Sequence, residues 1–313
     1  MKILVLGAGA VGTYFGAALS LAGHEVTFAV RDMKRTKIAE DGIRLIGPRG
    51  DFHAREVRGT DDPTSVEDID VALSCVKLYD AESAARQWQA PLARAGAVIS
   101  LQNGIDGVER TLAGAPSSRV FGGLAFVSGR MDYPGMVHYL SDMSSLVYGG
   151  VSNATLNAFT DALNDPSNPL SVKGVLVEDV AVAQWSKFLA LATNAALTCL
   201  VRAGAGVIYH DPDLLVVAKQ SIDEIYRVGR AEGVALQPDQ IDIALKNLQS
   251  LPATMVASMN HDLTAGRSLE LDGLSGTVRR LGRKHSIATP FHDFAYACLK
   301  PYLHGAPNGP ETK

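Results

Sequence analysis

The chain opens MKILVLGAGAVGTYFGAALSLAGHEVTFAVRD, and no charged residue occurs between Ile3 and Gly23. About 20 apolar residues suffice to cross a bilayer, so length alone allows a membrane anchor. Glycine argues against it. Gly7, Gly9, Gly12, Gly16 and Gly23 interrupt the run, and each costs roughly 1 kcal/mol relative to alanine inside a helix. The run divides better into three pieces. KILVLGAG reads as a buried strand rich in branched side chains and stopped by glycine. AVGTYFGAALSLAG reads as a helix with its C-cap at Gly23, and HEVTFAVR as a second strand. No signal-peptide pattern fits the stretch better, so a cytoplasmic protein without a membrane partner is expected.

Within that strand–turn–helix–strand unit, Gly7-Ala8-Gly9-Ala10-Val11-Gly12 matches GxGxxG in the context that gives the pattern meaning. Gly7 permits a tight turn, Gly9 lets backbone approach a pyrophosphate, and Gly12 lets helix pack close to strand. The helix N-terminus then offers N–H groups and the positive end of its dipole to phosphate. The competing reading is a glycine-rich turn without a ligand. Sites for NAD usually place Asp or Glu about 20 residues on, where it accepts from the ribose 2′-OH. Here Arg31 is read as the end of the second strand, and a guanidinium suits a 2′-phosphate. Asp32 competes one residue later, and Arg31 can also be read as a solvated strand end. NADP(H) is the expected cofactor.

Bulk properties narrow the remaining classes. A chain of 313 residues suggests two domains. Hydrophobic residues at 47% and charged residues at 20% are ordinary for globular cores. A net charge of −4 offers no basic footprint for nucleic acid. Cys75, Cys199 and Cys298 lack metal-ligand spacing and read as reduced thiols. No HExxH occurs and the histidines never pair at i, i+4, so no metal is expected.

The first half alternates strands and helices: DIDVALSCVKL as a strand ending near Leu78, DAESAARQWQAPLARAG as a helix, AVISLQNG as a strand, IDGVERTLAG as a short helix. RVFGGLAFVSG, GMVHYLS and SSLVYGG follow as strands, some antiparallel. The fold class read from this is α/β, an open, mainly parallel sheet, doubly wound at its start. After a surface loop at 164–171 and a last strand, the pattern turns all-helical. VAVAQWSKFLALATNAALTCLV reads as the buried spine of that part. Asp211 N-caps the next helix, with Pro212 at its first position and Gly233 at its end. The expected domains are 1–177, binding NADP, and 178–313, all-helical and carrying substrate and catalysis. GAPNGPETK reads as a frayed tail.

Ligands of open α/β sheets lie beyond the carboxyl ends of the strands. Lys77 after ALSCV and Asn103 after VISLQ stand at two such ends, either as solvated loop residues or together lining one crevice. Lys187 is the single charge in a nearly uncharged helix. It either snorkels to solvent or faces a catalytic cleft. Ser258 and Asp262 fall one helical turn apart, with Asp262 able to pair structurally with Arg267. Glu270 is read at the start of the next helix, where a carboxylate also favours the dipole.

The motifs GAGAVG, SCVK, LQNG and WSKF, the strand-end Arg31 and above all ASMNHDLTAGRSLELDGLSG followed by Pro290 together resemble the ketopantoate reductases (2-dehydropantoate 2-reductases) over almost the whole chain. The resemblance implies a Rossmann-type domain joined to an all-helical one, with NADPH and a small 2-oxo acid between them. It also implies that Lys187 donates the proton to the substrate carbonyl, and that Asn103 touches cofactor and substrate. Glu270 would organise the site near the nicotinamide ribose, Ser258 would bind substrate, and Lys77 would lie on the cofactor side. Reduction of 2-dehydropantoate to pantoate, within pantothenate biosynthesis, is the default activity, and a homodimer is left open. The sequence departs from the family at three substrate asparagines, replaced by Leu191, Ala195 and Ala205. Asn194 is one residue from a match, about 100° around a helix. A dehydrogenase of the same fold for a bulkier, more apolar 2-oxo acid is the close alternative. An NADPH-sensing regulator is the distant one, disfavoured by Lys187, Asn103 and Glu270 occurring together.

Overall fold

The computed structural model describes residues 1–151 and 153–307; from Asn308 on, the expected frayed tail lies outside the described residues. By its internal contacts the chain divides into two units, Met1–Asn103 with Gly107–Val180, and Gly104–Asp106 with the residues from Ala181 onward.

In the first unit, β1 (Lys2–Leu6), α1 (Ala10–Leu21) and β2 (Glu25–Ala29) follow the expected order, then α2 (Asp32–Asp41), β3 (Ile43–Gly47), β4 (Gly50–Ala54) and β5 (Val57–Thr60). Next come β6 (Val71–Ser74), α3 (Ala81–Gln87), α4 (Gln89–Arg94), β7 (Ala97–Ser100), α5 (Gly107–Gly114) and β8 (Val120–Phe126). The unit ends with β9 (Gly129–Tyr133), β10 (Met136–Tyr139), β11 (Ser145–Gly149), α6 (Ala154–Leu163) and β12 (Lys173–Val177). Eight strands form the main sheet in the order β12-β11-β8-β7-β6-β1-β2-β5. Every pairing in it is parallel except β11 with β8.

Along β1, successive side chains leave opposite faces, and both faces are covered. Ile3 and Val5 join Phe15, Phe28, Val71 and Leu73 in one core. Leu4 and Leu6 join Ala72, Trp88, Leu92 and Val98 in another. A parallel strand buried on both sides is a continuous apolar run, and KILVL is one.

Several elements depart from the sequence reading. A second sheet, β4-β3-β10-β9, was not foreseen, and GMVHYLS belongs to it. It packs on α1, where Tyr14 meets Tyr139 at 5.7 Å between ring centroids and donates to Ser144 Oγ at 2.9 Å. With the main sheet on its other side, α1 is buried from Gly12 to Leu19. That accounts for the absence of charge in the opening run. Gly23 closes α1 in the left-handed region (φ +84°), with His24 N–H reaching Leu19 O at 3.1 Å. The strand expected to reach Leu78 stops at Ser74, and the helix expected over 80–96 is broken at Trp88 into α3 and α4.

The second unit is all helix over residues 181–302 in its regular structure: α7 (Ala181–Val201), α8 (Ala205–Ile208), α9 (Pro212–Ala231), α10 (Gln240–Gln249), α11 (Ser258–Thr264), α12 (Ser275–Lys284) and α13 (Pro290–Leu299), with short 3-10 turns. Helix α7 is the spine, packed by α8, α9, α10, α11 and α13. Asp211 caps α9 by accepting from Asp213 N and Leu214 N, as read from its sequence. None of the described helices is long and apolar enough to cross a membrane.

A polar chain runs through this helical core. Thr193 of α7 hydrogen-bonds Ser221 of α9 at 2.8 Å, Ser221 meets His292 Nε2 at 3.2 Å, and His292 Nδ1 meets Ser275 at 3.1 Å. Glu224 accepts from the backbone N–H groups of Phe291 and His292 and so holds the start of α13. Burial pushes the His292 imidazole down to about 4 and raises Glu224. The fold therefore binds the neutral imidazole; its contribution is complete above the unfolded value of about 6.5 and lost as pH falls toward 4. Glu224 acts in the opposite sense, so His292→Gln isolates the histidine. In urea denaturation, the wild type should lose up to about 1.4 kcal/mol per pH unit over that window beyond what His292→Gln loses. Parallel pH dependences would refute the buried neutral imidazole.

Candidate active site

The glycine turn gives each of its three glycines a different spatial reason. Gly7 has φ +95°, and a Cβ there would meet Val76 Cγ1 at 2.8 Å. A Cβ on Gly12 would lie 2.2 Å from the Gly7 carbonyl oxygen and 3.0 Å from Cys75 Cβ, so α1 sits directly against the turn. Gly9 is the opposite case, exposed, with nothing within 4 Å of a Cβ. It is the N-cap of α1 and provides no side-chain cap. Ala8 is buried, and Ala10 and Val11 are half-buried. Close packing at Gly7 and Gly12 beside open space at Gly9 fits a dinucleotide whose pyrophosphate approaches backbone.

Arg31 departs from its expected position. The strand ends at Ala29, and Arg31 is the exposed N-cap residue of α2, followed by Asp32 at φ +51°. It remains beyond the carboxyl end of β2, close enough to Asp80 to oppose the upward push that burial gives that carboxyl. Sequence reasoning missed Lys34, whose ammonium donates to the Ala8 carbonyl at 3.3 Å and is lowered from its ordinary value by burial.

Lys77 and Asn103, both half-buried, follow the adjacent parallel strands β6 and β7. The missed residue between them is Gln102. Its amide donates to Ser74 Oγ at 2.7 Å and accepts from Ser100 Oγ at 2.5 Å, all buried. The ends of the two strands are thereby tied together just before the loops that carry Lys77 and Asn103. The signal for it lies in LQNG, an amide directly after an apolar strand.

In the helical unit, Lys187 lies in the first third of α7 between the buried Phe188 and Ser186, which donates to Val182 O and to Gln240 Oε1. Burial pushes its ammonium down to about 8. Leu191 is half-buried, and Ala195 and Ala205 are buried. Asn194 accepts from the Tyr209 hydroxyl at 2.9 Å, so it is committed to the packing of α8 against α7. Ser258 begins α11 and is exposed. Asp262, buried, pairs with Arg267 at 2.9 Å, the structural pairing weighed for it. Glu270 is 6% exposed and precedes a 3-10 turn, Leu271–Gly273, rather than opening an α-helix as expected. Asp106, grouped with this unit, accepts from Thr277 at 2.6 Å and Arg280 at 2.9 Å on α12. Cys75, Cys199 and Cys298 are free thiols, and the described residues contain no cluster that could hold a metal.

Residues 3–153 match the family model described as ketopantoate reductase PanE/ApbA, and residues 179–303 match its C-terminal counterpart. The chain belongs to the ketopantoate reductase family. A 2-dehydropantoate 2-reductase of Mycobacterium tuberculosis is 29% identical, with 98% of each chain covered. The crystal structure of a PanE/ApbA family ketopantoate reductase from Ralstonia eutropha JMP134 superposes with a TM-score of 0.87 at 28% identity, covering 97% of this chain and 98% of that one. A D-mandelate dehydrogenase solved with NADH and anilino(oxo)acetate shares the fold at a TM-score of 0.83 and 20% identity, covering 97% and 98%. Ketopantoate reductase family proteins are oxidoreductases that use a nicotinamide cofactor.

The glycine geometry separates two substitutions in this family turn. Gly12→Ala forces a Cβ into backbone and should destabilise by about 1–3 kcal/mol, the scale of overpacking. Gly9→Ala should leave the melting temperature nearly unchanged and still weaken binding of the nicotinamide dinucleotide. A Gly9→Ala protein with unaltered cofactor affinity, measured by calorimetry, would remove the turn from the binding site.

Proposed function

We propose that the protein reduces a 2-oxo acid to the 2-hydroxy acid with NADPH, 2-dehydropantoate being the default substrate. Residues 1–177 would hold the cofactor through Gly7, Ala8, Gly9, Ala10, Val11, Gly12, Arg31 and Lys77. Residues 178–313 would supply Lys187, Ser258 and Glu270. Bound at the glycine turn, the cofactor would supply the hydride for the 2-oxo carbon. Negative charge then grows on the carbonyl oxygen, and Lys187 would stabilise that charge and deliver the proton. Asn103 would orient the reacting groups, Ser258 would hold substrate, and Glu270 would organise the site.

Lys187 carries the assignment. A lysine held partly buried in an apolar helix, with its ammonium brought down to about 8, is suited to exchange a proton near neutral pH. Protonation is complete well below that value, so the reduction rate should decline as pH rises through about 8. Lys187→Ala should slow single-turnover hydride transfer by roughly 10² to 10⁴, the contribution of a general acid. NADPH affinity and folding should stay nearly constant in the same sample. A fall of less than about tenfold would return Lys187 to a structural role and make Lys77 the next proton donor to test.

A second reading of the substrate is favoured by Leu191, Ala195 and Ala205, together with the engagement of Asn194 by Tyr209. Each lost amide removes a hydrogen bond that could select a polar substrate, and discrimination built on such bonds is large. Branched or aromatic 2-oxo acids should then compete well with 2-dehydropantoate when kcat/KM is measured across a panel. A preference for 2-dehydropantoate above about a thousandfold would favour the default substrate instead.

A further inference from the structure

Lys34 is a cation the catalytic reading leaves unused. It stands in the first turn of α2, which begins where β2 has just ended, and its side chain runs back to the glycine turn to donate to the Ala8 carbonyl at 3.3 Å. The lysine thus bridges two places that a dinucleotide joins: the end of the second strand, where the adenosine ribose is recognised, and the turn that meets the pyrophosphate. Its ammonium has three donors, the residue is half-buried, and among the described residues it makes one hydrogen bond. Burial disfavours its charge, with no carboxylate contributing to offset that. A half-buried cation with donors to spare is suited to an anion.

Arg31 stands three residues earlier at the start of the same helix, exposed, with Asp80 near enough to feel its charge. One guanidinium that shares its field with a carboxylate is a weak clamp for a dianion. A second cation in the first turn of the helix that Arg31 caps corrects that balance. Both cations stand just beyond the carboxyl end of β2, the region where the adenosine ribose is recognised.

We propose that Lys34 is a second cation of the 2′-phosphate subsite, held ready by the Ala8 carbonyl and paired with Arg31 in selecting NADPH over NADH. The assignment rests on the glycine turn being the NADPH site. It concerns recognition of the phosphate monoester alone, and Lys34 takes no part in proton transfer.

The test is isothermal titration of wild type, Lys34→Ala, Lys34→Arg and Arg31→Ala with NADPH, NADH and adenosine 2′,5′-bisphosphate, which carries the 2′-phosphate without a pyrophosphate. Lys34→Ala should weaken NADPH and the bisphosphate roughly tenfold, the low end for a charge-assisted hydrogen bond, and NADH less than about twofold. Lys34→Arg, which keeps the charge, should retain most of the affinity, and Arg31→Ala should show the same selective loss. Equal losses for NADPH and NADH would assign Lys34 to the pyrophosphate and overturn the proposal. Unchanged NADPH affinity would leave Lys34 as a tether of the turn and overturn it too, as would a fall in melting temperature with no NADPH-selective loss. A wild type that binds NADH as tightly as NADPH would overturn the NADPH reading itself, and with it this inference. A wild type that prefers NADPH, with Lys34→Ala keeping that preference, would overturn only the role of Lys34.

Discussion

The close seating of α1 on the strands β1 and β2 is the constraint from which the sheet unit follows. Gly12 brings the helix against the Gly7 carbonyl, and Gly16 brings it against Phe28, whose ring would lie 2.3 Å from an added Cβ. At that distance the second sheet can cover the outer side of α1, and Tyr14 is shared between the helix and that sheet. A helix covered on both sides has no position for a charged side chain, because burying an unpaired charge is prohibitive. The opening run is apolar because its helix is covered on both sides, and Gly12 and Gly16 set the spacing of that packing. The same seating fixes the start of α1 against the turn and leaves Gly9 open.

The residues at the strand ends inherit their positions from this frame. The main sheet is parallel through β5, β2, β1, β6, β7 and β8, so the loops carrying Ala8, Arg31, Lys77 and Asn103 leave from one edge. Gln102 ties two of those ends through Ser74 and Ser100. A buried amide with both its donor and its acceptor satisfied stiffens the backbone it joins. Polar side chains beyond that edge are then held by rigid elements, which is what positioning a cofactor requires.

The helical unit solves a different problem, which is how to keep polar groups inside an apolar bundle. Thr193, Ser221, His292 and Ser275 satisfy one another along a single chain of hydrogen bonds. Glu224 accepts from the first N–H groups of α13. Each group is buried, and each has a partner, which is the condition for tolerating it there. Lys187 sits in the same spine helix, where burial brings its ammonium down to about 8 and makes its charge conditional on pH near that value.

The sheet–helix–sheet start, the glycine turn, the long α7 and the cap at Asp211 were legible in the sequence, because each rests on local rules: apolar runs, glycine spacing and side-chain caps act over a few residues. Arg31 was placed only roughly, since the end of a strand depends on its neighbours' register, and β2 stops when its parallel partners do. The second sheet escaped notice because β3 pairs with β10 across more than eighty residues, and no local pattern encodes a pairing that distant. Lys34, Gln102 and His292 escaped for the same reason: their partners Ala8, Ser74 and Ser221 lie far away along the chain. Sequence by itself determined which residues can be helix, strand or turn and which family they belong to. Only the tertiary structure decided which polar groups meet, because a hydrogen bond depends on distance in space and side chains carry no record of it along the chain.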